Sequence, residues 1–321
     1  MDLIYMNEAR EDVGVMRDYT LDMAFGADEN NFEAIVPSAA HCCAPGYFLY
    51  AEGTEYGGVI DDLGSDTAAE EVTYMGRTWH GILNSKIIEP DPGTAYLILT
   101  GEANHIIHQL IERLSLSELF IASEENSGLF ISGYKMNRFI PAYDGIRKML
   151  ATVAGKLCFA FHAGKVVLSA MPRGNYTQTS EIDSDMVNFK AVRRYRPVNH
   201  LICLGQGELE ARQVIHLYKD AAGRISKHQS LFGTLERTAV YENTNAESLE
   251  ELEREGLEQF GKLTQSDEMR VSLNADDTCY DISDLIGAVD NVTGIAVTTE
   301  IVKKIVTIKK GDITISYETG G

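Results

Sequence analysis

The stretch Gly294–Tyr317 reads Gly-Ile-Ala-Val-Thr-Thr-Glu-Ile-Val-Lys-Lys-Ile-Val-Thr-Ile-Lys-Lys-Gly-Asp-Ile-Thr-Ile-Ser-Tyr, and it decides the fold class. Valine, isoleucine and threonine dominate, a composition typical of a pleated and packed β-sheet. Segment 310–312, Lys-Gly-Asp, predicts a hairpin turn between two strands. In the second strand Ile313, Ile315 and Tyr317 alternate with polar residues, which predicts one buried and one wet face. Because the chain ends four residues later, we expect no further catalytic domain after this hairpin.

A weaker version of the same order occurs near the start of the chain. The two series of segments are Tyr47–Tyr50, Gly57–Ile60 and Glu71–Met75 at the start, and Tyr280–Ile282, Gly294–Val297, Ile301–Val302 and Ile313–Tyr317 at the end. The spacing from Val59 to Val72 is 13 residues, and that from Ile301 to Ile313 is 12. Two interpretations are open: the chain contains two related β-units, or the likeness is one that any two β-meanders share.

Length and charge limit the classes of function. A chain of 321 residues exceeds one typical core, so two or three domains are expected. The apolar content of 44% and charged content of 24% are those of a globular protein that dissolves in water. A formal net charge of −20 argues against binding nucleic acid through its phosphates. Such a charge suits solubility, and it also suits a surface along which DNA passes without sticking.

Cysteine usage and the termini point to assembly in a reducing cytosol. Five scattered cysteines form no disulfide framework: Cys42, Cys43, Cys158, Cys203 and Cys279. The N-terminal segment 1–8 has neither a basic region nor an apolar region, so we predict no signal peptide. No apolar run approaches the roughly 20 residues that span a bilayer, so we predict no membrane segment.

The first 98 residues read as β-structure. Strands are predicted at Leu3–Met6, Asp18–Ala24 and Asn31–Pro37, followed by a meander over 46–88. Trp79, the single tryptophan, is surrounded by apolar residues, so we predict that it anchors a core rather than an interface.

The middle of the chain changes character. Asn104 is a candidate N-cap for a helix whose apolar side is Ile106, Ile107, Leu110, Ile111 and Leu114. Pro141 is a candidate start for a second helix, with Gly155 as its stop. A hairpin follows, with strands at 157–161 and 166–171. Residues 99–172 therefore predict a small α+β unit.

Strands return in the last part of the chain, with one clear helix. The strands are predicted at 187–192, 200–204 and 212–218, the last followed by a turn at 220–223. The helix is predicted at Ala246–Leu263, with an apolar stripe and several glutamates in its first turn.

The candidates for chemistry are few and unspecific. His105 and His108 have an i, i+3 spacing that suits a metal, but they lack the glutamate of a His-Glu-x-x-His motif. In segment 41–43, His-Cys-Cys, adjacent side chains point in opposite directions on an extended chain. Paired acids occur at 61–62, 70–71 and 276–277, as chance allows among 48 acidic residues. We assign no catalytic, cofactor-binding or metal-binding residue, and we predict no cofactor.

Several segments in order resemble one family. They are Asn31–Pro37, Glu55–Ile60, Gly76–Leu83, Lys86–Pro90, the helix and hairpin of 142–171, and the ending from Gly294 to Tyr317. In this order they resemble the hub, or tail-associated, proteins of long-tailed bacteriophages and of related injection particles. The resemblance covers nearly the whole chain and rests on few invariant residues.

This resemblance implies a structural protein and no enzyme. The implied fold is α+β and mainly β, with two tube-like antiparallel β-barrels and a small α+β unit between them. The implied domains are 1–98 for the first barrel, 99–182 for the α+β unit and 183–321 for the second barrel with one packed helix. Closed rings hide the strand edges that a meander exposes.

The family resemblance also implies partners and a place of action. Such hubs form homotrimers that adapt a sixfold tail tube, or distal tail ring, to a threefold spike or fibre, and they meet a tape measure protein. They lie in the virion tail tip, assemble in the host bacterial cytoplasm and enclose the channel for DNA ejection. A lytic extension found in larger members is expected to be absent here. Two alternatives stay open: a cell-wall polysaccharide hydrolase, and a β-module that binds a glycan or a protein.

Overall fold

The fold is known from a computed structural model. It describes residues 1–177, 181–183, 189–193, 197–246, 248–263, 267–274, 280–294, 296–309 and 311–320. The chain divides into two compact units: the first comprises Met1–Lys190 and Met269–Gly320, and the second is Ala191–Glu268. The expected mainly β composition with a few helices is confirmed.

The first unit contains most of the regular structure. Its N-terminal strands are β1 (Leu3–Met6), β2 (Asp12–Met16), β3 (Thr20–Gly26), β4 (Asn31–Pro37), β5 (Phe48–Tyr50), β6 (Gly57–Asp66) and β7 (Glu71–Thr78). Helix α1 (Trp79–Asn84) follows directly, and a 3-10 turn lies at Ser38–Ala40.

A helical part follows. Its elements are β8 (Ile87–Ile88), β9 (Ile98–Glu102), α2 (Ala103–Arg113), β10 (Phe120–Ala122), β11 (Phe130–Lys135), β12 (Ile140–Pro141), α3 (Ala142–Ala151), β13 (Gly155–His162) and β14 (Lys165–Pro172). Strand β15 (Glu181–Asp183) comes next, then β16 (Phe189–Arg193), within which the boundary of the first unit falls.

The second unit is a four-stranded sheet with one helix. Its elements are β17 (His200–Leu204), β18 (Val214–Lys219), β19 (Ile225–Ser226), β20 (Thr238–Glu242) and α4 (Leu249–Leu263), with 3-10 turns at Leu209–Ala211 and Gly233–Leu235. The strand order is β19-β18-β17-β20, and β17 is parallel to β20. Leu252, Gly256 and Phe260 of α4 pack on the face that carries Leu201 and Cys203. This single core explains why 191–268 is compact by itself.

The chain returns to the first unit through β21 (Asp267–Asn274), and the last strands are β22 (Leu285–Val289), β23 (Ala296–Lys309) and β24 (Asp312–Gly320). The predicted terminal hairpin is confirmed as β23 and β24, with Gly311 in the left-handed region at φ +87°. Ile315 and Tyr317 are buried on one face, as the alternation predicts.

One large sheet joins the N-terminal and C-terminal strands. Its path is β16-β21-β24-β23-β3-β4-β7-β6-β5-β1-β2, with β22 also paired to β23 and β15 to β22. The central joint is the antiparallel pair of β23 and β3, whose register runs from Lys303 opposite Gly26 to Lys309 opposite Thr20. Among the described strands the path does not close on itself, so the two expected barrels are not confirmed.

Within this sheet the same five-stranded arrangement occurs twice. Repeat A is β3-β4-β7-β6-β5, and repeat B is β16-β21-β24-β23-β22, in the same order of neighbours. Each repeat has a bulge at the same point: Asp61 in β6 and Val302 in β23 have no opposite residue in the hairpin ladder. Strand β5 pairs with the start of β6 as β22 pairs with the start of β23. The likeness noted between the two ends of the sequence is therefore a repeated β-unit.

The hairpin registers align the repeats residue by residue. Ile60 opposite Gly76 corresponds to Ile301 opposite Thr319. Two pairs further along, beyond the bulge, Leu63 opposite Tyr74 corresponds to Lys304 opposite Tyr317. The chain from β3 to β4 is a four-residue turn, 27–30, whereas the corresponding connection from β16 to β21 contains the compact part of the second unit. Repeat B is therefore a copy with a large insertion.

The part of the first unit from β8 to β14, called the middle subdomain, packs around one buried cluster that also includes residues of the N-terminal strands and α1. Strands β13 and β14 form the predicted hairpin, and helices α2 and α3 contribute Ile107, Leu110 and Ile146 to the buried cluster. Trp79 has no exposed surface and stacks on Phe161 at 5.4 Å, so its predicted core position is confirmed.

Three details of the predicted helices are wrong. Asn104 does not cap α2: the carboxylate of Glu102 accepts the N–H of His105, while the Asn104 side chain bonds the middle subdomain from inside the helix. Helix α3 ends at Ala151, and Ala154 rather than Gly155 takes the left-handed position, at φ 52°. Helix α4 begins at Leu249, three residues later than predicted, because the hydroxyl of Ser248 accepts the N–H of Glu251.

Candidate assembly interface

The two histidines with metal-ligand spacing lie apart from any cluster. His105 Nε2 lies 3.1 Å from the amide nitrogen of Gln109, and His108 Nε2 lies 3.6 Å from Glu112. Both rings are exposed on α2. In the described part of the chain, no group of three or more histidine, cysteine or acidic side chains has the geometry of a metal site.

The segment 41–43 has a structural contact with Tyr74. The Tyr74 phenol oxygen accepts the N–H groups of Cys42 and Cys43 at 2.9 and 3.3 Å, and His41 Nδ1 lies 2.9 Å from the same oxygen. The two thiol sulfurs are 3.7 Å apart. These residues therefore fix the chain that leads into β5.

Burial keeps most of the thiols protonated. The pKa of the Cys43 thiol is raised by burial and by the neighbouring Cys42. Burial raises the pKa of Cys158 to about 12 and that of Cys203 to about 11. A thiol of this kind is a poor nucleophile at neutral pH.

The paired acids are separated or exposed. The Asp61 carboxylate accepts two hydrogen bonds from the Arg77 guanidinium, at 2.8 and 2.7 Å, and these bonds lower its pKa. Asp62, Glu70 and Glu71 are exposed. The pair at 276–277 lies outside the described residues.

The junction of β23 and β3 is the structural feature that joins the repeats. Gly26, with φ +135°, is the last residue of β3, and a Cβ there would lie 2.1 Å from the carbonyl oxygen of Val302. That carbonyl accepts the N–H of Ala27 at 3.1 Å. The bulge of repeat B therefore docks on a position that only glycine fits.

A buried ion pair closes this junction. Lys304 of β23 is 2% exposed, and its Nζ lies 2.7 Å from Oε1 of Glu55, in the turn between β5 and β6. His80 of α1 lies on the other side of this carboxylate, with Nε2 3.6 Å from Oε2. The Lys304 ammonium also lies 5.7 Å from the centre of the Tyr56 ring. A charged pair that is removed from water in this way depends on both partners.

The charges at this pair have opposite effects on two pKa values. Burial favours the neutral form of Lys304, but the charge and hydrogen bond of Glu55 raise its pKa above the usual value. Burial lowers the pKa of His80 well below its usual value, and the positive charges of Lys304 and Arg147 lower it further. The junction therefore contains an ammonium–carboxylate pair beside a neutral imidazole.

A second buried lysine links repeat B to the middle subdomain. Lys156 Nζ of β13 lies 2.6 Å from Oδ2 of Asp281 and 3.0 Å from Asp284, whose side chain has no exposed surface. Asp284 also accepts the N–H groups of Gly174 and Asp281 at 2.6 and 2.9 Å. Repeat B is thus held by the middle subdomain as well as by β3.

The outer half of β6 differs sharply from its counterpart in β23. Among the described strands, Asp62–Asp66 pairs only with β7, so its outer edge is open. Leu63 there is 46% exposed, whereas the corresponding Lys304 is 2% exposed. Leu63 lies opposite Tyr74, which is fully buried, so its side chain is on the core face of the sheet. An aliphatic side chain on the core face at an open edge is suited to contact with another strand.

The other face of repeat A is acidic. Asp22, Glu33, Met75 and Asp62 form one row across β3, β4, β7 and β6, with Asp22 directly opposite Glu33. All three carboxylates are exposed. They line a shallow groove together with Glu29.

Comparisons with known proteins identify the class of fold. The 43 kDa tail protein of prophage MuSo2 from Shewanella oneidensis matches with a TM-score of 0.58 and 9% identity, over 100% of this chain and 98% of that one. The prophage tail protein gp18 from Listeria monocytogenes matches with a TM-score of 0.53 and 10% identity, over 100% and 95%. A tail protein from Neisseria meningitidis matches with a TM-score of 0.52 and 13% identity, over 99% and 95%. No family model and no curated protein matches the sequence.

The chain therefore has the fold of phage tail and baseplate proteins, and the resemblance noted from the sequence is confirmed at the level of the fold. Sequence reasoning did not find Lys304, Glu55 or Leu63. The pattern Ile-Val-Lys-Lys-Ile-Val was the available signal, since a lysine in the middle of an apolar strand needs a partner. No described helix has the length and apolarity that a membrane span requires.

Proposed function

We propose that this chain is a structural hub of a phage, or phage-like, tail tip and not an enzyme. Three copies form a ring that adapts a sixfold tail tube, or distal tail ring, to a threefold spike or fibre. The observation that carries the proposal is the repeated five-stranded unit within one sheet. Three chains with two such repeats each present six similar faces.

The insertion in repeat B supports the change of symmetry. Repeat A has a short turn where repeat B has the connection that contains the second unit. In a ring of six repeats, a part found on every second repeat is present three times. A partner that binds this part meets threefold symmetry, while a partner that binds the common strands meets sixfold symmetry. Closure of repeats A and B as tube-like barrels belongs to this proposal.

The domain division 1–98, 99–182 and 183–321 is kept as part of the same proposal. Its partners are further copies of the chain, the tail tube or distal tail ring, a spike or fibre protein and the tape measure protein. The ring lies in the virion tail tip and is assembled in the host bacterial cytoplasm.

The acidic face of repeat A supports a channel wall that does not retain DNA during ejection, without specific binding of nucleic acid.

Light scattering of the purified protein at several concentrations tests the proposal. A mass of three times 35.5 kDa is expected. The trimer is also expected to bind the tail-tube and spike proteins of the same particle. A strictly monomeric chain, or cleavage of cell-wall polysaccharide by the chain, contradicts it.

A further inference from the structure

The β23–β3 junction defines what a contact between consecutive repeats requires. Strand β23 of repeat B uses its outer half, Lys303–Lys309, to pair with the first strand of repeat A. The corresponding segment of repeat A is Asp62–Asp66 of β6, and the corresponding first strand of repeat B is β16. Among the described strands, β16 ends the path of the sheet, so both segments have an open edge.

We propose that Asp62–Asp66 is a docking edge for β16 of a second copy, with Leu63 packed against Ala296 of that copy. This inference rests on the proposed trimer and assigns the residues of its contact. It follows from treating the contact between chains as the counterpart of the contact within the chain.

The alignment of the turns identifies the residue that Leu63 meets. In repeat A the N–H of Ala51 is donated to the carbonyl of Tyr56 at 2.9 Å, which extends the ladder of β5 and β6 by one pair toward the turn. Glu55 is the next residue on the β6 side beyond this pair. In repeat B, Val289 lies opposite Ala296. Counting from the shared register, Ala296 corresponds to Glu55, as Leu63 corresponds to Lys304.

The exposed fractions of corresponding side chains in β6 and β23 show which part of β6 a second copy would cover. Lys304 and Val306 are 2% and 0% exposed because β3 and the Glu55 turn lie over them. Leu63 is 46% exposed at the position of Lys304, and Ser65 is exposed at that of Val306. The core face of β6 therefore lacks a cover that its counterpart has.

The chemistry of the two contacts differs, and the difference selects the partner. Within the chain a lysine meets a glutamate, and between chains a leucine meets an alanine. If β23 of one copy docked on repeat B of another, Lys304 would be buried against Ala296 without a carboxylate. A buried unpaired charge is costly, so this wrong pairing is disfavoured. Repeats are therefore joined in alternation, A to B, around the ring.

Two substitutions and their combination test the inference. Leu63→Lys puts a lysine against Ala296, and Ala296→Glu puts a carboxylate against Leu63. Each is expected to lower the association constant of the trimer by about 30-fold or more, because one charge is buried alone. The double variant rebuilds the Lys304–Glu55 pair between copies and is expected to restore the trimer.

Light scattering gives the mass of each variant, and circular dichroism with thermal unfolding checks the fold of the monomer. Ile98→Lys is the matched control, since Ile98 is 60% exposed on β9 and its substitution is expected to leave the trimer intact. In an equal mixture of the two single variants, a mixed ring contains one rebuilt pair, one wild-type contact and one mismatched contact, so partial recovery of the trimer is expected.

Each outcome decides a point. A wild-type monomer overturns the proposed trimer and the docking edge with it. A wild-type trimer that survives Leu63→Lys overturns the docking edge and leaves the trimer standing. Dissociation by both single variants without rescue in the double variant overturns the Leu63–Ala296 contact.

Discussion

Tyr74 and Tyr317 occupy the same position in the two repeats and make the same kind of hydrogen bond. The phenol of Tyr74 accepts the N–H groups of Cys42 and Cys43, and that of Tyr317 accepts the N–H of Tyr280 at 3.2 Å. Cys43 precedes the first residue of β5 by five positions, and Tyr280 precedes that of β22 by the same number. Both rings are buried. The repeat is thus preserved in its polar contacts as well as in its backbone.

Removal of either phenol oxygen is expected to destabilise the first unit. Tyr74→Phe removes the acceptor of the Cys42 and Cys43 N–H groups, and Tyr317→Phe removes the acceptor of the Tyr280 N–H. A buried donor without a partner costs about 1–3 kcal/mol, so each substitution is expected to cost about 1 kcal/mol or more. Urea unfolding measures both, with Tyr96→Phe, at a residue 44% exposed, as a control near zero. Equal effects for all three variants would show that these bonds contribute nothing.

The ion pair at the junction predicts strong coupling between Lys304 and Glu55. Lys304→Leu leaves a carboxylate without its ammonium, and a cost of about 3–5 kcal/mol is expected. The double variant Lys304→Leu with Glu55→Ala contains the residues found at the corresponding positions of repeats A and B. Because it removes both charges, it is expected to recover most of the loss, as a double-mutant cycle in denaturant would measure. Additive effects would contradict a direct pair.

The neutral imidazole of His80 predicts a loss of stability in mild acid. Its pKa is lowered in the folded chain, first by burial and then by Lys304 and Arg147, from a usual value of 6.5. Below pH 6.5 the unfolded chain therefore binds a proton that the folded chain does not, and this contribution to stability is lost as pH falls toward the lowered pKa.

The expected slope is at most about 1.4 kcal/mol per pH unit for one proton. His80→Phe removes this slope, and it fits among the rings of Phe25, Phe159 and Tyr143 that surround the imidazole. The free energy of unfolding is measured from pH 7 to pH 5 for both proteins. An unchanged slope in the variant would exclude His80 as its source.

The close approach at Gly26 predicts that this position tolerates no side chain. Gly26→Ala places a Cβ 2.1 Å from the Val302 carbonyl oxygen, so β23 must move away from β3. Gly287→Ala is the control, because its Cβ meets neighbours at 3.4 Å or more. Thermal unfolding is expected to separate the two variants by several degrees or more. Similar melting temperatures would mean that the junction contributes little.

The acidic row predicts a fold that is more stable without one of its charges. Asp22 lies directly opposite Glu33, and like charges in this relation destabilise a sheet by some tenths of a kcal/mol. Glu33→Gln is expected to raise the free energy of unfolding by about 0.2–1 kcal/mol at low salt, and less at high salt.

The triple variant Asp22→Asn, Glu33→Gln and Asp62→Asn is expected to slow DNA ejection when built into the particle. Ejection at the normal rate would contradict the channel proposal.

The local part of the fold was predictable from the sequence because it depends on periodicity. The alternation around Ile313–Tyr317 predicts the terminal hairpin, and the apolar spacing of α2 predicts its buried side. The cap of α2 was not predictable in the same way, since asparagine is a preferred N-cap residue and glutamate is not. The tertiary contacts of Asn104 place it inside the helix, and Glu102 accepts the N–H of His105.

The candidate interface depended on long-range pairing that periodicity does not encode. Lys304 and Glu55 are 249 residues apart in the chain, and the sequence around either residue does not indicate that the other is its partner. The position of Leu63 at an open edge follows only after the registers of both hairpins are known. The repeated unit itself was visible as a pattern, but the residue correspondence needed the two bulges.

The raised pKa values of three thiols have a consequence for their oxidation. Peroxides attack thiolates rather than protonated thiols. Cys43, Cys158 and Cys203 are held protonated by burial, so they resist this chemistry without being joined in disulfides. These three side chains therefore stay thiols without the help of a reducing agent.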